Sequence, residues 1–251
     1  MIEYTLSSLL EVAKDTAFKA GSTLIEKQNL ARQVQQSYTH DVKIKGDFLS
    51  ESIIVNSPQQ HSSFPILSEE AGMIGKFDRE QYLWVVDPLD GSLNYSQGIP
   101  LCCISIALWK GSEPVLGVIF DFNRDELFSG IIGVGAWLNE TSIKTSETTK
   151  KKEAILCTGF PIRTDFSDDG ITQFVLQVQS YKKVRLLGSA ALSLAYVACG
   201  RVDAYMEENI MVWDVSAGCA LVKAAGGEIL IENCDDLTIP KNVSAKSSFL
   251  V

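Results

Sequence analysis

Cysteine, histidine and basic residues set the first limits, because each is scarcer or less organised than a function built on it requires. The six cysteines, Cys102, Cys103, Cys157, Cys199, Cys219 and Cys234, show no CxxC spacing and mostly sit in apolar stretches. They read as reduced core residues, which sets aside a disulfide framework and a zinc site. The two histidines, His40 and His61, read as surface residues rather than catalysts. Lys and Arg number 22 against 31 acids, a net charge of −9. That balance disfavours nucleic acid or an acidic membrane as partner, and an anionic substrate needs locally bound positive charge such as a divalent cation. No apolar run reaches membrane-spanning length, and the opening MIEYTLSSLLEVAKDTAFKAG alternates charge with apolar residues instead of forming a signal peptide. A cytoplasmic enzyme is the expectation. Repeats and low-complexity linkers are missing too.

What is present is a chain built to fold. Its 251 residues are 46% hydrophobic and 21% charged, enough apolar surface for a packed core. Leu6, Leu10, Ala13, Ala17, Ala20 and Leu24 recur at spacings of four and three, which predicts one amphipathic helix over about Tyr4 to Gln33, laid across a sheet. A polar loop around Gln35 to Asp41 follows, then a second helix from about Asp47 carrying Phe48, Ile53 and Ile54. Strand patterns run through Tyr82 to Val86, Ile104 to Trp109, Val115 to Phe120, Glu126 to Ser129 and Ala136 to Leu138, separated by Gly, Pro and Asp turns, as in an antiparallel meander. The lysine-rich Lys144 to Ala154 reads as a solvated boundary between an α+β half, about residues 1–150, and an α/β half, about 151–251, of a single domain. In the second half, strands near Ala154 to Cys157, Val184 to Leu187, Val202 to Met206 and Glu228 to Ile231 alternate with helices near Ile171 to Ser180, Ser189 to Ala198 and Val215 to Ala225.

The most informative stretch is WVVDPLDGSLNY, Trp84 to Tyr95. An apolar strand ends at Asp87, Pro88 fixes its own φ and keeps Asp87 extended, and Asp90 follows on the same turn. Gly91 lets the chain reverse, and Ser92 and Asn94 are residue types that cap a helix and leave backbone N–H groups free. Such a turn suits hard divalent cations through its carboxylate and carbonyl oxygens, and phosphate through its N–H groups. Three further places carry acids at element ends. Ser68, Glu69 and Glu70 follow the apolar Pro65, Ile66 and Leu67; Asp214 begins the helix that holds Ala217, Gly218, Ala224 and Ala225; Asp41 and Asp47 flank a lysine-containing loop. Taken singly, each has an ordinary reading as a surface acid or a helix cap.

Taken together they resemble one family. DPLDGS is similar to the DPxDGT signature of the inositol monophosphatase superfamily, SEE to its GEE motif and WDVSAG to its WDxAAG motif, in the same order and spacing. DVKIKGD resembles the DxVTxxD loop, while TGFPIR and RLLGSAALSLAYVACGRVDAYME resemble further family segments, so the likeness spans essentially the whole chain. It implies a layered αβαβα sandwich of the inositol monophosphatase and fructose-1,6-bisphosphatase type. It also implies a magnesium-dependent phosphomonoesterase, lithium-sensitive and homodimeric in the better-known members, acting on a small phosphorylated substrate. Carried over by position, Glu69, Asp87, Asp90, Asp214 and the Leu89 carbonyl hold two or three Mg2+ ions, and the Gly91 and Ser92 amides hold the phosphate. One cation would lower the pKa of a bound water and another would stabilise the departing alkoxide, and without cations the crowded carboxylates would repel. Either Ser92 paired with Asp47, or Glu69, orients or deprotonates that water in this reading. Gly188, Ser189 and Ala190 match a substrate-binding segment, and Glu207 matches an acid that meets a substrate hydroxyl.

Departures from the family pattern bear on the substrate. Ser92 stands where threonine is usual, keeping the hydroxyl but losing a methyl that restricts χ1. Ile44 replaces the threonine of the loop motif, and Met211 stands where some inositol phosphatases have a histidine. DGSLNY follows the DGTxNF form of inositol phosphatases instead of the DGTKEF form of relatives that prefer 3′-phosphoadenosine 5′-phosphate, or the basic variant of histidinol phosphate relatives, which favours inositol 1-phosphate or a sugar phosphate. GIPLCCISIAL also resembles dual enzymes acting on fructose 1,6-bisphosphate, for which Arg185 or Arg163 would contact the second phosphate. A non-catalytic relative that binds a phosphorylated ligand is a further alternative, although every matched carboxylate is in place.

Overall fold

The N-terminal segment folds where capping and burial agree. The computed structural model of the chain describes residues 4–37, 42–160 and 164–251, with the side chains of 58–61 left out. His40, Asp41, Arg163 and the His61 side chain therefore lie outside the described residues. Helix α1 (Leu6–Glu26) starts from Thr5, whose Oγ1 accepts from Ser8 N–H while Ser8 Oγ accepts from Thr5 N–H. It buries Leu9, Leu10, Ala13, Ala17, Ala20 and Leu24. The single helix expected through Gln33 does not form. Every residue from 25 to 30 is exposed, so packing no longer favours the helical path; the chain turns at Lys27, and a short α2 (Gln28–Ala31) returns to bury Ala31.

The loop expected over Gln35 to Asp41 is in its described part a strand. Strand β1 (Val34–Ser37) pairs antiparallel with β2 (Val42–Ile44). All four β1 side chains are exposed, so no apolar alternation marks them in the sequence. Helix α3 (Lys45–His61) begins two residues before Asp47, which puts that acid in the first turn.

Next come β3 (Ile66–Ser68), β4 (Gly72–Ile74), β5 (Tyr82–Asp90), the short α4 (Ser92–Gln97), β6 (Cys103–Lys110), β7 (Glu113–Asp121), β8 (Glu126–Ile131), β9 (Gly135–Leu138) and β10 (Thr141–Ile143). They form an eight-stranded sheet in the order β10-β9-β8-β7-β6-β5-β3-β4, with β5 to β9 the expected antiparallel meander, β10 an unexpected antiparallel addition to it, and β3 parallel to β5. The polar stretch after β10 leads to β11 (Ile155–Thr158), α5 (Asp168–Val178), β12 (Lys183–Arg185), α6 (Ala190–Ala198), β13 (Ala204–Ile210), α7 (Val212–Ala224), β14 (Glu228–Ile231) and β15 (Lys241–Lys246). Here the sheet order is β12-β11-β13-β15-β14, parallel across β12, β11 and β13 and antiparallel at β15 and β14.

Five layers result: α1 with α3, the large sheet, α6 with α7, the small sheet, and α5. This is the αβαβα sandwich. Strand β5 is buried on both faces, Trp84 and Val86 joining the core beside α1 and α3, Leu83 and Val85 the core beside α6 and α7. Double burial explains its unbroken apolar run. Helix α7 lies directly on the large sheet: a Cβ at Gly117 would meet the Ala217 carbonyl at 2.3 Å, so only glycine permits that approach. The same seating brings the first turn of α7, with Asp214, to the end of β5.

Candidate active site

Two carboxylates three residues apart on a regular strand point to opposite faces. Asp87 and Asp90 avoid this through a bulge: Asp87 pairs with Ser105 and Asp90 with Cys103, so β5 holds one more residue than β6 across that interval. Pro88, which has no N–H to offer the ladder, sits inside the bulge. Asp90 is thereby returned to the face of Leu83, Val85 and Asp87, towards α6 and α7. Asp87 Oδ1 accepts from Leu89 N–H at 2.9 Å, which braces the turn across the proline. Gly91 follows at φ 84°, and a Cβ there would meet the Leu101 carbonyl at 2.7 Å.

Two more acids arrive from distant elements. Glu69 follows β3 and is tied to β5 by its N–H to the Val86 carbonyl at 3.2 Å. Asp214, in the first turn of α7, accepts from Met211 N–H through Oδ2 at 3.2 Å, so it caps its helix and still faces the others. Carboxylate oxygens of Glu69, Asp87 and Asp214 lie within 4.8 Å of one another. Glu70 does not join them; it pairs with Lys43 at 2.6 Å.

Burial first, and then the neighbouring charges, push Glu69 up to about 8 and hold the Asp87 and Asp214 carboxyls well above the carboxylate range. Burial likewise lifts Asp90 to about 6 against the hydrogen bonds it receives. The cleft around them has a volume of about 490 Å3, and Lys43 is the single cationic side chain among its described lining residues. Crowded hard oxygens with so little balancing charge fit a divalent cation of the magnesium kind.

The rest of the constellation is held by long-range contacts. Asp47 accepts from Ile44 N–H at 2.7 Å on one oxygen and from Ser92 Oγ at 2.8 Å on the other, while Ser92 Oγ also lies 2.8 Å from the Leu89 carbonyl. Ser50 Oγ donates to the Pro88 carbonyl at 2.6 Å, fastening α3 to the bulge. Asp90 Oδ2 accepts from Ser189 Oγ at 2.5 Å and Ala191 N–H at 2.8 Å, with Cys103 Sγ at 3.8 Å. Ser189, expected on the substrate, thus lines the cleft but commits its hydroxyl to Asp90 and to capping α6. Ser92 and Asn94 are not caps either. Gly91 occupies the position before α4, and the Asn94 amide lies within donating distance of the Leu101, Leu187 and Gly188 carbonyls, at 2.8, 2.9 and 3.2 Å. Gly188, Ala190, Glu207 and Met211 line the same cleft.

Glu207 accepts from the buried Tyr205 hydroxyl at 2.9 Å, and burial raises its carboxyl to about 7. Tyr205 is not singled out by the sequence motifs, although its two-residue spacing from Glu207 on a strand is the available signal. Arg185, offered for a second phosphate, is not among the described residues lining the cleft; it stands on β12 near Arg124, Glu126 and Arg201. The edge position of β12 carries it there.

Known proteins share this sequence pattern and fold. A model of the Inositol monophosphatase family matches residues 5–248. The chain is 41% identical to Nus factor SuhB of Xylella fastidiosa over 208 residues, 82% of this chain and 73% of that one. It is 33% identical to the inositol-1-monophosphatase of Synechocystis sp. over 237 residues, 93% and 82% of the two chains. The solved inositol monophosphatase of Anabaena (Nostoc) sp. superposes with a TM-score of 0.84 at 35% identity, covering 97% of this chain and 92% of that one. Fold and site define a phosphoric monoester hydrolase of a metal-dependent kind. The chain belongs to the inositol monophosphatase family.

Proposed function

We propose that the chain is a single catalytic unit that hydrolyses a small phosphate monoester with Mg2+, and that inositol 1-phosphate suits it best. The observation that carries this reading is the convergence of Glu69, Asp87 and Asp214, with Asp90 on the same face and the Asp47–Ser92 pair at the rim. Glu69, Asp87, Asp90, Asp214 and the Leu89 carbonyl are the proposed ligands of two or three Mg2+ ions. When bound, those ions supply a lowered pKa for the attacking water and positive charge for the departing oxygen.

The protein's own groups do the remainder. Asp47, fixed by Ile44 N–H, accepts the hydrogen bond of the Ser92 hydroxyl, which leaves the Ser92 oxygen lone pairs to orient a water. Glu69, in the same carboxylate cluster, is the alternative base. The first-turn amides of Gly91 and Ser92 meet the phosphate, and Gly188, Ala190 and Glu207 meet the alcohol, with Ser189 steadying Asp90 between them. A fructose 1,6-bisphosphate reading loses support from the position of Arg185. Family membership supports lithium sensitivity, a homodimer and a cytoplasmic setting, and among the described residues no helix is long and apolar enough to cross a membrane. A kinetic panel of inositol 1-phosphate, fructose 1,6-bisphosphate, 3′-phosphoadenosine 5′-phosphate and p-nitrophenyl phosphate, with and without Mg2+ and Li+, tests all of this. Mg2+-dependent turnover highest on inositol 1-phosphate is expected; phosphate release that ignores Mg2+ overturns it.

A further inference from the structure

Lys43 departs from the loop motif in which it lies. In the likeness of DVKIKGD to DxVTxxD it stands where the motif has valine, one place before Ile44. The strand gives that exchange a direction. Val42 and Ile44 of β2 are buried, so the side chain between them takes the other face of the ribbon. There Lys43 lines the cleft together with Glu69, Asp87, Asp90 and Ser92. Its Nζ meets Glu70 Oε2 at 2.6 Å, with 24% of the lysine side chain and 5% of the glutamate side chain exposed. Solvent screens a pair so placed only in part.

Both charges reach the carboxylates. Burial comes first in lifting the Glu69 carboxyl; next, the Glu70 charge raises it further and the Lys43 charge draws it down. At Asp47, behind burial and the hydrogen bonds from Ile44 and Ser92, the same two charges act with the same signs. A divalent cation held by Glu69 feels them the other way round, drawn by Glu70 and repelled by Lys43. Neither residue belongs to the trio whose oxygens converge, Glu69, Asp87 and Asp214, so each acts on a cation there through space.

We propose that the Lys43–Glu70 pair sets how strongly the carboxylate cluster holds Mg2+, Lys43 weakening the hold and Glu70 strengthening it. The proposal rests on the metal-dependent phosphatase reading above. An ammonium fixed at the rim offsets part of the crowded negative charge without taking a ligand position, and no chelator removes it. Were the pair only a brace between β2 and the turn after β3, loss of either partner would loosen the same contact and move the affinity in one direction. Opposite shifts are the mark of charge.

Calorimetric titration of Mg2+ into the chelator-treated full chain reads this directly. Lys43→Met is expected to lower the Kd about fivefold and Glu70→Gln to raise it about fivefold, each difference shrinking as KCl rises from about 0.05 to about 0.5 M. Lys43→Arg keeps the parent value, and Lys43→Met combined with Glu70→Gln returns to within about twofold of it, since the two charges go together. Circular dichroism melting in chelator verifies that the variants fold; Lys43→Gln, which still offers Glu70 a donor, takes the place of Lys43→Met should that variant not melt cooperatively. Shifts of the same sign in the two single variants, a parent-like Kd once the Lys43 charge is removed, or differences that ignore KCl overturn the proposal. Absence of any Mg2+ heat in the parent protein instead overturns the metal-dependent reading itself, and the role of the pair with it.

Discussion

Replacing Asp90 by asparagine separates what this side chain does for the fold from what it does for the cation. Its Oδ2 is surrounded by donors, Ser189 Oγ–H at 2.5 Å, Ala191 N–H at 2.8 Å and the more distant Cys103 Sγ. An asparagine must therefore present its carbonyl oxygen to them and turn its NH2 towards the other carboxylates, where it repels a cation instead of binding it. Burial lifts the Asp90 carboxyl from 3.8 to about 6. The folded state thus holds this proton more tightly than the unfolded chain, so the penalty on folding grows from about pH 4, is complete above about pH 6 and amounts to roughly 3 kcal/mol. The Asp90→Asn variant would escape that penalty, which already includes the hydrogen bonds from Ser189 and Ala191. The net result without metal is a higher Tm at pH 8 and no gain at pH 4. Turnover of p-nitrophenyl phosphate at saturating Mg2+ should fall about a thousandfold, equivalent to ~4 kcal/mol of barrier. Melting curves in chelator at the two pH values and a Mg2+ titration of activity measure both effects. Turnover within tenfold of the parent would refute the assignment of Asp90, and a large loss of Tm at pH 8 would refute the account of its burial.

Three further outcomes are expected. Glu207→Gln should change the ranking among inositol 1-phosphate, fructose 1,6-bisphosphate and 3′-phosphoadenosine 5′-phosphate more than it changes p-nitrophenyl phosphate hydrolysis; an equal loss on all four counts against contact with the alcohol. Gly91→Ala should cost about 1–2 kcal/mol for its left-handed backbone, more for the 2.7 Å approach to the Leu101 carbonyl, and should lower turnover by moving Asp90 and Ser92; a parent-like Tm contradicts it. Mg2+ added to chelator-treated protein at about 100 times its Kd should stabilise by roughly 2.7 kcal/mol, raising Tm by about 5–10 °C. No shift, with no heat of binding by calorimetry, removes the cation from the site.

The meander and the carboxylates were legible because each has a local signature. Strand β5 announces itself by an apolar run buried on two faces, and Asp90 and Asp214 by their places at element ends; Asp87, expected to end the strand, lies inside it because the bulge lets β5 run on to Asp90. Asp90 at Ser189, or Asn94 at Leu187 and Gly188, join positions about a hundred residues apart, and no periodicity encodes such a meeting. Asn94 and Ser92 misled for the same reason: both are good capping types, and tertiary partners claimed them first. Strand β1 escaped notice because its four exposed side chains carry no apolar alternation. Between Glu69 and Glu70 only the likeness of SEE to a family motif chooses the first; in the structure Lys43 of β2 takes the second.

The residue gained by β5 within its turn makes parity part of the chemistry. Shorten that interval by one position and every acid survives, yet Asp90 swings through the sheet to the side of Leu24 and Tyr95, where an aliphatic neighbour belongs. Exchanges of one side chain for another leave such a chain's count of acids to be judged; a deletion here destroys their meeting while altering no acid at all. Length, at this place, is as strictly specified as identity.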